Sequence, residues 1–168
     1  MMRAPIRPSA LRLVLAGGVA ATALLTAGAA LALPVAGAGP YAVSPGGGQP
    51  IIATNANAVR VDLNAPRTII DWQSFNLAGG ERADFLFDQR NWIVLNRVTG
   101  SAISINGTVF GGQQANFNSP PAATPGGNVW FYSPQGVAFG ASARVDVGGM
   151  LATSAAVNTA AFLNATNL

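Results

Sequence analysis

The side chains that most often perform chemistry are missing from this chain, whose 168 residues include no histidine, no cysteine and no lysine. Their absence removes the imidazole base, the thiolate nucleophile, the Schiff-base amine and the commonest transition-metal ligands together. Six carboxylates remain for acid–base work: Asp62, Asp71, Glu81, Asp84, Asp88 and Asp146. Asp84 and Asp88 are the nearest candidate pair. On one strand they would share a face but stand about 13 Å apart at ~3.3 Å per residue. Paired carboxylates that cleave glycosides need roughly 5 to 9.5 Å. The acids show no Asp-x-Asp-x-Asp-Gly run, so a calcium site of the kind used by polysaccharide lyases would need the fold to gather them. The glycines at 46–48 are not followed by the Lys-Ser or Lys-Thr pair of a phosphate loop. No catalytic, cofactor-binding or metal-binding residue is assigned, and the chain is expected not to be an enzyme.

The charge points to export rather than to a polyanionic partner. Arg3, Arg7 and Arg12 precede an uninterrupted apolar run at 13–33, rich in Ala, Gly and Leu. This is the layout of a secretory signal peptide. Ala30-Leu31-Ala32 supplies the small-x-small cleavage site, with a cut after Ala32, and Ala36-Gly37-Ala38 is the second choice. A membrane anchor is the alternative, because the run approaches the ~20 residues that span a bilayer. Its weak hydrophobicity and the following cleavage sites favour the signal peptide, and with it signal peptidase and the inner-membrane export machinery as partners. Once residues 1–32 leave, six arginines face six acids, and the formal net charge of +3 disappears with the leader. Nucleic acid is therefore not an expected partner, since no cluster of Lys and Arg remains. An exported chain without cysteine must be held by packing and backbone hydrogen bonds alone.

The elements that would position any functional side chain are short strands. Residues 33–50 are rich in Gly, Pro, Ala and Ser and are expected to form a flexible lead-in. Beyond them, Ala83, Phe85 and Phe87 alternate with Asp84, Leu86 and Asp88, and Ile103 and Ile105 alternate with Ser104 and Asn106. Val145 and Val147 alternate with Arg144, Asp146 and Gly148. Such period-two runs, bounded by Gly, Asn or Pro, predict strands. Further strands are expected at 69–75, 92–98, 129–132 and 137–139. No amphipathic helix is expected, and the stretch after Val147 is ambiguous. Residues 111–128 read as a mobile loop or insertion. Asn106-Gly107-Thr108 and Asn164-Ala165-Thr166 match the glycosylation sequon, but Asn106-Gly107 reads better as a strand-end turn. Trp72, Phe75, Trp92 and Phe131 read as core or cap packing. Strand spacing alone suits a sandwich, a barrel or a solenoid.

Four segments in fixed order carry a resemblance: Asp71-Trp72-Gln73-Ser74-Phe75-Asn76, Leu95-Asn96-Arg97-Val98-Thr99-Gly100, Val129-Trp130-Phe131-Tyr132-Ser133-Pro134-Gln135-Gly136-Val137, and Phe139-Gly140-Ala141 through to Val147-Gly148-Gly149-Met150-Leu151-Ala152-Thr153. Together, over about residues 53–155, they resemble the N-terminal secretion domain of filamentous-haemagglutinin-type exoproteins of the two-partner secretion family. The resemblance implies an all-β fold, a right-handed parallel β-helix with short N-terminal capping strands, covering residues 51–168. It implies recognition by the periplasmic domains of a dedicated outer-membrane pore in a Gram-negative envelope, and a secreted or cell-surface location. Adhesive, toxic or haem-capturing activity, with its host or bacterial target, would lie in a passenger region outside this chain, which is expected to be truncated at its C-terminus. A stand-alone surface adhesin or structural solenoid, or a carbohydrate-active β-helix, stays open as an alternative.

The same resemblance marks Asn96, Arg97, Ser133, Pro134, Gln135, Gly136 and Val137 as the partner-recognition or export motif. The family's usual Asn-Pro-Asn-Gly-Ile appears here as Ser133-Pro134-Gln135-Gly136-Val137, keeping the proline and glycine that shape a turn but neither asparagine. Arg97 is expected either to pair with a nearby acid or to meet the partner.

Overall fold

The computed structural model of the protein describes residues 33–112 and 126–165. The leader with Ala30 and Ala32, and most of the expected loop at 111–128, lie outside the described residues. Fourteen strands and one short helix follow in order. They are β1 (Val35–Ala36), β2 (Ala42–Val43), β3 (Ile51–Thr54), β4 (Ala58–Asp62), β5 (Arg67–Ser74), β6 (Asn76–Leu77) and β7 (Arg82–Leu86). The rest are β8 (Ile93–Val98), β9 (Ile103–Ile105), β10 (Thr108–Gly112), β11 (Asn128–Tyr132), β12 (Val137–Phe139), β13 (Arg144–Asp146), β14 (Gly149–Thr153) and α1 (Thr159–Asn164).

The strands wind through three sheets in rotation, so that each turn of chain lays one strand on each face. One face runs β5-β8-β11-β14, a second runs β4-β7-β10-β13 and a third runs β6-β9-β12, and every neighbouring pair within these runs is parallel. This is a parallel β-helix, the solenoid among the three architectures that strand spacing left open. Its rungs stack like on like. Val59, Ala83, Val109 and Val145 are register partners in one column, as are Leu77, Ile105 and Phe139 in another. Because side chains alternate across a strand, each column faces either the interior or the solvent along its whole length. The interior is filled by such columns and by the rings of Phe75, Phe85 and Phe131.

The corners need close backbone approach. At Gly107, between β9 and β10, an added Cβ would run into the carbonyl oxygens of Glu81 and Ala78 in the rung below, so the corner admits only glycine. The reading of Asn106-Gly107 as a strand-end turn therefore holds: Asn106 N–H donates to Leu77 O and Thr108 N–H donates to Glu81 O on either side of it.

Three expectations need correction. Residues 33–50 are not simply a flexible lead-in, because β1 and β2 pair antiparallel with β5. The first rung of a solenoid has an edge of unpaired backbone groups, and these short strands cover it. Gln49 fastens the segment further, accepting from Tyr41 N–H at 2.7 Å and donating to Tyr41 O at 2.9 Å. Second, β3 forms an antiparallel hairpin with β4, and β4 and β10 are strands that the alternation search did not single out. Third, a helix exists. After β14 the chain turns away from the growing stack and forms α1, capped by Asn158, whose side chain accepts from Ala161 N–H at 2.9 Å.

Candidate functional site

Asn96 and Arg97 are neighbours on β8 and so face opposite sides of one sheet. Asn96 faces inward and is fully buried. Its Oδ1 accepts from Trp72 Nε1 at 3.0 Å, and its Nδ2 donates to Trp130 O at 3.2 Å. A buried amide with both ends bonded fixes the spacing of three consecutive strands, β5, β8 and β11. In the folded domain it acts through the fold and offers no surface. Asn96→Leu keeps the volume but leaves the buried indole N–H of Trp72 without its acceptor. It is expected to lower the unfolding free energy by about 1–3 kcal/mol, read as a shift of the urea midpoint.

Arg97 faces outward. Its register partner on β5 is Asp71, and the two form a bidentate pair, with Nη2 donating to Asp71 Oδ2 at 2.9 Å and Nε donating to Oδ1. Nη1 donates to Thr159 Oγ1 at 3.2 Å, at the start of α1. The hydrogen bond that Arg97 donates to Asp71 raises its guanidinium above its ordinary value, against the opposing effect of partial burial. Of the two roles open to Arg97, the folded domain displays the pairing with a nearby acid.

Ser133 to Val137 form the turn between β11 and β12. Gly136 N–H donates to Ser133 O at 3.0 Å across a four-residue turn with Pro134 at its second position. Gly136 has φ +102°, in the region that favours glycine. Ser133 is fully buried. Its Oγ donates to Ser101 O in the rung below at 2.7 Å and accepts from Gln135 N–H at 3.1 Å. A serine hydroxyl that caps the backbone two residues on does the work an asparagine does in an Asx-turn. The substitution noted in the sequence therefore preserves the turn. Pro134 and Gln135 are exposed, and Gly136 and Val137 are half-buried. The motif is thus a pinned corner that presents two residues to solvent.

Arg97 lies on β8 and the 133–137 turn follows β11, the neighbouring strand of the same face, whereas most of the other acids lie on or beside the second face. There the acids are held singly. Asp62 is bonded by Arg60, Asp84 by Arg82, and Glu81 Oε2 accepts from Ala78 N–H at 2.7 Å. Asp84 lies on β7, whereas Asp88 lies beyond its end, so the pair does not share a strand. Among the described residues no group of three or more His, Cys, Asp or Glu side chains could hold a metal ion. No helix among them is long and apolar enough to cross a membrane.

Sequence reasoning missed one feature of this surface. Outward on the first face, Ile69, Ile93 and Leu95 form an apolar patch that is buried under Phe162 of α1. The available signal was the run of consecutive apolar residues in β5 and β8, which departs from alternation because both faces are covered.

The family model of the TPS secretion domain matches residues 40–168, every rung of the solenoid included. A heme/hemopexin-binding protein of Haemophilus influenzae is 30% identical over 108 residues, which is 64% of this chain and 10% of that protein. The chain thus spans about a tenth of the length of this curated relative. On this match and on the parallel β-helix it covers, the chain belongs to the TPS secretion domain family, the secretion-targeting domains of two-partner exoproteins that are secreted and are recognised by an outer-membrane transporter.

Proposed function

We propose that the solenoid is an address and a folding nucleus without catalytic activity, and that its cargo activity belongs to another region of a longer exoprotein. The family match over residues 40–168 carries this reading. The relative supports it, because similarity confined to a tenth of that protein is what a shared export module attached to different cargo would leave. Adhesion or haem capture would be the cargo's property. Residues 1–32 are the signal peptide that brings the chain to the periplasm through the inner-membrane machinery, where signal peptidase removes it.

In the periplasm the partly extended chain offers short alternating segments to the pore's periplasmic domains, which bind them by β-augmentation. Backbone hydrogen bonds give affinity, and alternate side chains give specificity. On the far side of the outer membrane, each rung that stacks buries apolar surface, which biases the chain outward without a nucleotide.

The turn at 133–137 is the part of the export motif most suited to direct contact, because its shape is local, set by Pro134, by Gly136 at positive φ and by the Gly136 N–H to Ser133 O bond, and needs no neighbouring rung. Replacing Pro134 and Gly136 together by alanine is expected to reduce secretion through the cognate pore about tenfold or more, as loss of a central contact does. Secreted and periplasmic protein are measured by immunoblot. Gln135→Ala removes a side chain that, among the described residues, bonds Ser133 alone, and isolates contact from turn shape. Undiminished export of the double variant removes the turn from the export signal.

A further inference from the structure

The segment after β14 folds back along the stack. From β14, on the fourth rung, it crosses the outward side of the first face and reaches back to the first rung. Phe162, the buried residue of α1, packs with Ile69 on β5, with Ile93 and Leu95 on β8, and against the Trp130 ring on β11 at 5.5 Å between centroids. Polar contacts fasten the helix at both ends. Arg97 Nη1 donates to Thr159 Oγ1 at 3.2 Å, and Arg67 Nε donates to Ala165 O at 2.9 Å while its guanidinium lies 5.6 Å from the centre of the Phe162 ring.

We propose that α1 is a clasp that closes only on a stacked solenoid and ties its first rung to the segment that follows the fourth. The surface it grips is contributed by three strands from three successive rungs, so it does not exist until those rungs have stacked. A six-residue helix is too short to persist alone in water, so the clasp forms on its receptor and not before it. A bare solenoid is quasi-one-dimensional, each rung touching only its neighbours and free to fray from either end. A contact from residues 159–165 to β5 breaks that rule and holds the first rung through a segment that follows the fourth. Asp71, bonded to Arg97, stands beside the clasp and keeps that guanidinium oriented toward Thr159.

The test uses hydrogen exchange on the full mature chain and on two variants. Phe162→Ala removes the anchor. Asn158→Ala removes the helix cap without removing a contact to β5, since its side chain bonds Ala161 N–H. In the wild type, amides of β5 are expected to be as protected as those of β11. In Phe162→Ala the β5 amides are expected to exchange at least about tenfold faster, with β10 on the second face changed little, as expected when one cooperative unit loosens by itself. Asn158→Ala is expected to give the same pattern, several-fold weaker. Unchanged β5 exchange in both variants, or an equal acceleration of every strand, overturns the clasp. Should Phe162→Ala fail to fold, Asn158→Ala alone decides, and neither result depends on export.

Discussion

Phe75→Ala is expected to lower the unfolding free energy by about 3–5 kcal/mol, a large part of the 5–15 kcal/mol that holds an ordinary domain together. Phe75 stands at the corner between β5 and β6, and its side chain is fully buried. Its ring meets Trp72 edge-on at 5.2 Å between centroids, meets Phe131 at 5.2 Å and an interplanar angle of 65°, and lies nearly parallel to Phe85 at 6.5 Å. Trp72 is on the adjoining strand β5, but Phe85 and Phe131 come from β7 and β11, so the ring joins rungs as well as faces. Truncation removes the transfer free energy of the ring and leaves an apolar cavity that water does not enter. It also ends the aromatic pairs, each of which contributes about 0.5–1.5 kcal/mol beyond area burial. Urea unfolding followed by tryptophan fluorescence reads the change, because Trp72 packs on the missing ring. The midpoint should fall while the slope stays constant. Phe139→Ala, at 38% exposure on β12, is the comparison and should cost about 1 kcal/mol or less. Equal losses at the two positions would show that the aromatic axis is not where the stability lies.

The inward faces could be read from the chain before the fold was known. Phe85, Ile103, Ile105 and Val145 alternate with polar neighbours, and an alternating strand has one buried side whatever sheet it joins. Trp72, Phe75 and Phe131 are buried, and Trp92 packs against the same core, as expected. The wrapping was harder to see. On the second face Arg82-Ala83-Asp84 on β7 and Arg144-Val145-Asp146 on β13 repeat in register, whereas the similar Arg60-Val61-Asp62 on β4 is shifted by two residues, with Arg60 opposite Asp84. The repeat is masked because β10 carries Thr108-Val109-Phe110 in its place and because rungs differ in length. The structure shows the register directly: Arg82 stacks on Thr108, and Thr108 on Arg144.

The parts missed are those that depend on edges. Val35–Ala36 and Ala42–Val43 have too little sequence to signal strands, and they are strands because β5 has an edge to cover. The helix at Thr159–Asn164 carries one buried residue and no repeating apolar stripe, and it is stabilised by a patch assembled from three rungs. The 133–137 turn falls between these cases. Proline and glycine announced the corner, but only the stacked rungs show Ser133 bonded to Ser101 and standing in for an asparagine.

Arg82→Ala is expected to destabilise the domain by about 3–5 kcal/mol near neutral pH, because it strands a buried carboxylate. The Asp84 side chain has no exposure at all, and Arg82 reaches it with Nε at 2.9 Å and 3.1 Å from its two oxygens and with Nη2 as well. Burial raises the Asp84 carboxyl above its usual 3.8, while the Arg82 hydrogen bond and charge, and the charge of Arg60 in register on β4, pull it down without cancelling the rise. The folded state therefore holds the Asp84 proton more tightly than the unfolded chain does. The contribution of Asp84 to stability is then largest below 3.8 and declines as pH rises through the folded value. Removing Arg82 takes away two of the lowering influences and moves the folded value further up, so the window in which stability falls widens toward neutrality. Acid should reverse the damage. In acid below the usual 3.8 the protonated carboxyl needs no cation, and the deficit of Arg82→Ala should shrink well below its neutral-pH size. Asp84→Asn makes the charge independent of pH, and combined with Arg82→Ala it should recover most of the loss, a coupling that a double-mutant cycle measures. Urea midpoints for the four proteins at the two pH values contain the result. A deficit that is the same in acid as at neutrality would mean that Arg82 stabilises β7 by packing its aliphatic stem, and that the buried charge is held by something else.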